Sequence, residues 1–432
     1  MLLIAAPGQG AQTPGFLSEW LELPGFAERL GQASELAGCD LIRCGTTADA
    51  AEITDTAVAQ PLLVAAAITA AAELFGGPGQ VGELASAAVA AGAGAAAGHS
   101  VGELAAGAIA GTLQESDAIR LVRVRGQAMA RAAAAEATGM TAVLGGDEQA
   151  VLAAIKASGL TPANVNGAGQ IVAAGTLDQL AAFAADPPPR ARLRPLSVAG
   201  AFHTRHMEPA VDALREAAAT VAVHSPALAL LSNRDGSVVH SGTDWLERIV
   251  TQVSAPVRWD LCMQTMASLG VTALIELPPA GTLTGLARRA LPDVTVLALK
   301  GPGDLAAARE LLAASAAAQG DGEAAPGPGA AARADARQDT HPDGHTPDWR
   351  LIVAPLAGTF RAGPLGGVPA GPGAAVSVGA DLGCVEMRGG NHTISPAFPA
   401  TIIEWLVEDG DLVTAGQPIV RLQPHVGADT RG

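Results

Sequence analysis

A chain of 432 residues with 49% hydrophobic content is long enough for two or three domains with a sizeable core, and it excludes a largely disordered protein. Its net charge of −16 argues against a nucleic-acid partner, which needs a basic face to neutralise phosphates. Four scattered cysteines without a CxxC pair read as free thiols. The N-terminus lacks the basic start of a signal peptide, and the expected location is the cytoplasm without membrane attachment.

Leu2 to Ala6 reads as a buried strand stopped by Pro7-Gly8-Gln9-Gly10. Ala57 to Phe75 reads as a core helix; its apolar run is alanine-rich and interrupted by Glu73. Ala85 to Gly98 reads as a strand, although alanine stands where a strand prefers branched residues. Leu104 to Ala110 and Glu115 to Ala135 read as helices. Between 139 and 198 the order is strand, helix, strand, strand, helix, strand, which is the ferredoxin-like plan. Its elements fall at Met140–Leu144, Glu148–Ala157, Asn164–Asn166, Gln170–Ala174, Leu177–Ala185 and Leu193–Val198. The larger α/β pattern then resumes, with helices at Met207–Val221 and Asp244–Gln252 and strands at Leu228–Ser232, Val271–Glu276 and Val294–Ala298. Residues 313–348 lack apolar periodicity and read as a flexible linker. From 349 to 424 alternating Val, Ile and Leu with glycine turns indicate a separate all-β domain, followed by a tail at 425–432.

Gly98-His-Ser100-Val-Gly102 has the form of a nucleophile elbow, a sharp strand-to-helix turn that exposes a serine. A helix beginning near Val101 aims its N-terminus at that serine, favouring negative charge there. A serine hydroxyl needs a base, and His203, in Gly200-Ala-Phe-His203, ends the strand-like stretch after the small domain. His99 adjoins the serine and should point away from its Oγ, while His206 reads first as a helix cap. The sequence has no HExxH, no CxxC and no GxxxxGK[ST], so metal and nucleotide readings lack support.

Four motifs occur together in order: Pro7-Gly-Gln-Gly-Ala-Gln12, Gly98-His-Ser-Val-Gly-Glu103, Gly200-Ala-Phe-His203 and Pro278-Pro-Ala-Gly-Thr-Leu-Thr-Gly285. Residues 1 to about 312 thereby resemble malonyl-CoA:acyl carrier protein transacylases, particularly the actinobacterial fatty-acid synthesis type. The resemblance implies an α/β-hydrolase-like large domain (1–138 and 199–312) with a ferredoxin-like small domain inserted at 139–198. It implies Ser100 as nucleophile, His203 as base and acid, and Gln252 as the neutral group that accepts from the histidine. The backbone N–H groups of Gln9 and Val101 become the oxyanion hole, and Arg125 the clamp for the malonyl carboxylate. From the residues alone, Arg125 would read as a surface arginine among several on its helix. Asn166 falls in a loop lining the cleft. Phe202 removes space beside the substrate α-carbon and favours malonyl over methylmalonyl, a preference worth about 1–3 kcal/mol. The expected partners are malonyl-CoA, as substrate, and a phosphopantetheinylated acyl carrier protein. Arg120, Arg123, Arg288 and Arg289 could rim a carrier site or simply form solvated helix faces.

Residues 350–423 resemble the biotinyl/lipoyl carrier fold, on Ala354-Pro-Leu-Ala-Gly-Thr-Phe360 and Val376-Ser-Val-Gly379 followed by a hairpin. That family modifies a lysine on the hairpin; here the stretch reads Glu386-Met-Arg388-Gly-Gly390, and no lysine follows Lys300. A guanidinium cannot form the biotin amide, so covalent biotin or lipoate is excluded and a scaffold remains. That scaffold could dock an acyl-CoA carboxylase subunit or have no role. Two other readings of the whole chain stay open: a discrete acyltransferase serving a polyketide carrier, and an idle scaffold acting through its C-terminal domain.

Overall fold

The computed structural model describes residues 1–76, 84–321, 350–353, 358–363, 373–377, 380–387, 390–396, 399–407, 409–413 and 418–424. The chain divides into two compact units, Met1–Gly327 and Pro328–Gly432.

The first unit opens with strand β1 (Leu2–Ala6), then helices α1 (Pro24–Ala37), α2 (Leu41–Thr46), α3 (Ala50–Thr54) and α4 (Thr56–Leu74). Helix α4 is apolar enough to cross a membrane by composition, yet it is 83% buried inside the protein. Asp55 caps it by accepting from the Ala57 N–H. Helix α5 (Leu84–Ala90), strand β2 (Ala93–Gly98), α6 (Gly102–Ile109) and α7 (Glu115–Ala135) follow. The expected strand over 85–98 is therefore half helix. Alanine is the best helix former, and only the residues after Gly92, which turns the chain at φ 99°, are wedged between two other strands. In that slot alanine suffices, because neighbours on both faces, not branched side chains, cover the strand.

The chain then builds β3 (Thr138–Gly145), α8 (Glu148–Ala157), β4 (Thr161–Gly167), β5 (Gln170–Thr176), α9 (Leu177–Ala185) and β6 (Ala191–Pro195). This realises the strand-helix-strand-strand-helix-strand order. Helix α9 carries a complete capping box between Thr176 and Gln179. The chain returns through α10 (Glu208–Ala218), β7 (Ala229–Leu231), β8 (Val238–Val239), α11 (Gly242–Gln252), β9 (Val257–Arg258), α12 (Trp259–Ser268), β10 (Ala273–Glu276), α13 (Thr282–Ala290), β11 (Thr295–Ala298) and α14 (Leu305–Asp321). Helix α14 runs into the stretch read as linker from 313. Leu312 and Ser315 are buried there, so packing orders a segment whose composition alone suggested none.

Two sheets result. The larger has the order β11-β10-β1-β2-β7-β8 and is parallel except for the final pair. Alternate residues of β1 face different cores: Leu2, Ile4 and Ala6 on one side, Leu3 and Ala5 on the other. That explains an unbroken apolar run, since a sheet covered on both faces needs no polar alternation. The smaller sheet has the order β6-β3-β5-β4-β9, antiparallel until β9 joins β4 in parallel. Strand β9 comes from far along the chain and ties the small sheet to the return segment, a link no local pattern indicated.

The second unit contains β12 (Arg350–Val353), β13 (Gly358–Ala362), β14 (Ala375–Val376), β15 (Gly383–Met387), β16 (Gly390–Ile394), β17 (Ala400–Trp405), β18 (Leu412–Val413) and β19 (Pro418–Pro424). They form two four-stranded antiparallel sheets, β12-β19-β17-β14 and β16-β15-β13-β18, over a core that includes Phe360, Val385, Ile402 and Ile419. Strands β15 and β16 pair as a hairpin, with Met387 opposite Gly390. Arg388 and Gly389, and the Ala354-Pro-Leu-Ala357 stretch, lie outside the described residues.

Candidate active site

Strand β2 ends at Gly98 and α6 begins at Gly102, so three residues make the whole turn. Ser100 at its apex has φ 53°, the left-handed region that non-glycine residues seldom enter. The flanking glycines are required by space. A Cβ on Gly98 would lie 2.0 Å from the Gly102 carbonyl carbon, and one on Gly102 would lie 2.3 Å from the Ala6 oxygen. Asn233, just after β7, clamps the turn. Its Oδ1 accepts from the Ser100 N–H at 2.7 Å and its Nδ2 donates to the Gly98 carbonyl at 2.8 Å.

Ser100 Oγ lies 2.7 Å from His203 Nε2. His203 Nδ1 lies 2.9 Å from the main-chain oxygen of Gln252. A carbonyl can only accept, so Nδ1 carries the proton and Nε2 offers its lone pair to the serine. Gln252 is the last residue of α11, where carbonyls lack an intrahelical partner and the helix dipole is negative. The acceptor is thus a helix C-terminus in place of a carboxylate. Burial, then the charge of Arg125, push His203 down to about 3, so the imidazole is neutral and ready to take a proton. His203 does not end a strand as expected. Strand β6 stops at Pro195, and the loop beyond it is pinned by hydrogen bonds from Ala201 N–H to Thr138 Oγ1 and from His203 N–H to the Val253 oxygen. His203 too has a left-handed backbone, φ 61°.

Arg125 is fully buried, not a surface arginine. Gly126 beside it lets α7 press on the start of α4, since a Cβ there would lie 2.9 Å from the Thr56 oxygen, and this draws Arg125 inward. Its Nη1 donates to Gln60 Oε1 at 2.7 Å, and Nη2 donates to Gln252 Oε1 at 2.7 Å and to Ser100 Oγ at 3.4 Å. Its Nε is buried with no partner among the described residues. Burial lowers Arg125 to about 10, against the opposing pull of Glu103, so it remains charged.

A cleft over Ser100 is lined by Gln9, Val101, Met140, Phe202 and His203, among others. The Gln9 side chain is tied to Thr54 O at 3.3 Å and Thr56 Oγ1 at 3.4 Å. Asn166 lies in β4, not in a loop, and its Oδ1 pairs with His99 Nε2 at 2.9 Å; it is Asn164, two residues earlier, that lines the cleft. His99 also packs edge-on against Trp259, away from the serine hydroxyl. His206 Nδ1 pairs with Glu136 at 2.7 Å. Arg120 pairs with Asp117, and Arg123 packs over Gly38.

Sequence reasoning missed three supporting residues: Gln60, Asn233 and Glu103. Each carried a signal. Gln60 is a lone amide in an apolar helix, Asn233 follows a strand's C-terminal end, and Glu103 is an acid on the first turn of a buried helix.

Residues 6–315 match the acyl transferase domain family. The chain belongs to that family. The malonyl CoA-acyl carrier protein transacylase of Mycobacterium tuberculosis is 52% identical to this acyltransferase over 306 residues, covering 71% of this chain and 98% of the relative. The crystal structure of MCAT from Mycobacterium tuberculosis matches with TM-score 0.67 at 52% identity, covering 72% of this chain and 99% of that one. A type II PKS acyl-carrier protein in complex with its malonyl-transacylase matches with TM-score 0.64 at 28% identity, covering 72% of this chain and 99% of that one. The second unit of this acyltransferase lies beyond the matched residues.

Proposed function

We propose that this chain transfers the malonyl group of malonyl-CoA to the phosphopantetheine thiol of an acyl carrier protein in fatty-acid synthesis, through an ester on Ser100. The observation that carries the reading is the 2.7 Å contact of Ser100 Oγ with a neutral His203, with a buried arginine 3.4 Å from the same oxygen. As Oγ attacks the thioester, His203 Nε2 takes its proton, and the helix C-terminus at Gln252 steadies the imidazolium. The N–H groups of Gln9 and Val101 hold the developing oxyanion, each worth about 3 kcal/mol of barrier. The CoA thiolate leaves with the proton. The carrier thiol then enters, and the steps reverse in a ping-pong cycle.

Arg125 binds the malonyl carboxylate, since a guanidinium stays charged in a dry site and offers a planar fork. Phe202 crowds the α-carbon. The His99–Asn166 pair supports the elbow from the side. The finer fold assignments are an α/β-hydrolase-like large domain, a ferredoxin-like small domain and a biotinyl/lipoyl-like C-terminal unit. The last rests on two antiparallel four-stranded sheets and the resemblance of its strand motifs. That unit then serves as a docking scaffold, with an acyl-CoA carboxylase subunit as candidate partner. The cytoplasm is the proposed location.

Intact-protein mass spectrometry after mixing with malonyl-CoA tests the reading. The wild type should gain one malonyl group, and Ser100→Ala none. An unmodified wild type, or an equal adduct on Ser100→Ala, overturns it. The polyketide alternative is kept by the solved complex of a type II PKS carrier with its transacylase. Transfer to a fatty-acid carrier and a polyketide carrier, side by side, separates the two.

A further inference from the structure

Glu103 is 2% exposed, lies on the first turn of α6 behind the nucleophile, and is not among the residues lining the cleft. Its Oε1 accepts from the Asn233 N–H at 2.9 Å, and its Oε2 accepts from Gln252 Nε2. The other end of the same carboxamide, Gln252 Oε1, accepts from Arg125 Nη2 at 2.7 Å. Turned by half a revolution, that carboxamide would set its NH2 against the guanidinium, donor against donor. The acceptors on its amino side prevent this: Glu103 Oε2 and, at 3.1 Å, the Ser100 carbonyl.

We propose that Glu103 is a positioning residue for acyl-group selection: it fixes the Gln252 carboxamide so that Oε1 faces Arg125 and aims the guanidinium at the substrate carboxylate. The inference rests on the malonyl-transfer reading above and names how its selectivity is set. Burial pushes the Glu103 carboxyl up to about 8, against the pull of its two donors and Arg125. The ionised carboxylate holds the arrangement outright; the protonated acid holds it with its carbonyl oxygen toward Gln252 and its hydroxyl oxygen toward the Asn233 N–H. An acid in this place weakens the fold through desolvation. Its compensation is orientation, for the ionised carboxylate accepts at both oxygens and so leaves Gln252 one way to point.

Glu103→Gln breaks this logic with a single atom. One end of the new amide must meet a donor, either the Asn233 N–H or Gln252 Nε2. Turning Gln252 to relieve the second clash sets its NH2 against Arg125. Acylation of Ser100 is measured in single turnover with malonyl-CoA and with acetyl-CoA, which lacks the carboxylate. The malonyl-to-acetyl ratio of Glu103→Gln should fall by about tenfold or more, as expected for loss of a charge-assisted hydrogen bond, with acetyl transfer retained. Equal losses for both donors would make Glu103 a structural residue only and overturn the proposal. Gln252→Leu, which keeps the main-chain carbonyl on His203, guards against misfolding of the first variant. It should lose the ratio to at least the same extent, and the double variant should lose no more than Gln252→Leu alone. A wild-type ratio in Gln252→Leu, or multiplying losses in the double variant, also overturns it. Wild-type protein run alongside separates the two claims. No malonyl ester there defeats the parent reading, whereas a wild-type ester with an unaltered ratio in the variants defeats this one alone.

Discussion

Replacing Arg125 by alanine is the sharpest test of what the buried guanidinium does. The Nε–Nη2 edge is the one with a donor to spare: Nε is buried with no partner among the described residues, and Nη2, besides its bond to Gln252, reaches Ser100 Oγ at 3.4 Å. A carboxylate two carbons from the ester would take that edge. Hydrogen bonds to charged groups contribute about 1.5–3 kcal/mol, and each 1.36 kcal/mol is a factor of ten, so malonyl transfer should slow by about 10- to 150-fold. Acetyl-CoA forms no such bond and should be spared. Relief of the positive charge also makes His203 a stronger base, which favours acetyl transfer if anything. The assay is kcat/KM for each thioester, with the ester on Ser100 read by mass. Arg125→Lys keeps the charge but loses the fork, so it should recover only part of the ratio. A ratio in Arg125→Ala within twofold of wild type would refute the clamp.

Gly102→Ala places a Cβ 2.3 Å from the Ala6 oxygen, with backbone on every near side. It should cost about 3 kcal/mol or more in urea unfolding, as overpacking against rigid main chain does, and lower Ser100 acylation with it. An unchanged midpoint would refute the close-approach argument. His203 is depressed to about 3 from an ordinary 6.5, so between those values the unfolded chain binds the extra proton. Stability should fall as pH drops from 6.5 towards 3, and His203→Gln should flatten that slope in melts between pH 4.5 and 7. The same slope in both proteins would show that His203 is not the group responsible. Phe202→Ser opens the cleft beside the α-carbon and should narrow malonyl-to-methylmalonyl discrimination by about tenfold, read from competing thioesters. A ratio that does not move would remove Phe202 from selectivity.

Much of the site was legible because its chemistry is local. Gly98, Ser100 and Gly102 lie within five residues, and their steric reason is a turn that two strands and a helix leave no room to widen. Helices α7, α8 and α9 were legible to the residue, since each has an apolar face and a polar start. What stayed hidden depends on contacts distant in sequence. Arg125 reads as a surface residue until Gly126 is seen pressed on α4. Glu103 and Asn233 are 130 residues apart yet share one hydrogen bond. Helix α5 and strand β2 are both alanine-rich, and only what surrounds them decides between helix and strand. The extension of α14 past 312 has the same origin, because burial of Ser315 is a tertiary fact.

The acceptor behind His203 also bears on what becomes of the ester while it waits. In a hydrolase an aspartate strengthens the histidine enough to activate water. Here a helix-end carbonyl supplies only about half a unit of negative charge, and burial beside Arg125 weakens the base further. Water, with a pKa of about 15.7, needs a strong base to attack. A thiol, with a pKa of about 8.5, needs little help. A weak base therefore partitions the acyl group towards sulfur and against hydrolytic leakage, so the missing carboxylate is itself a means of keeping the malonyl group until a carrier arrives.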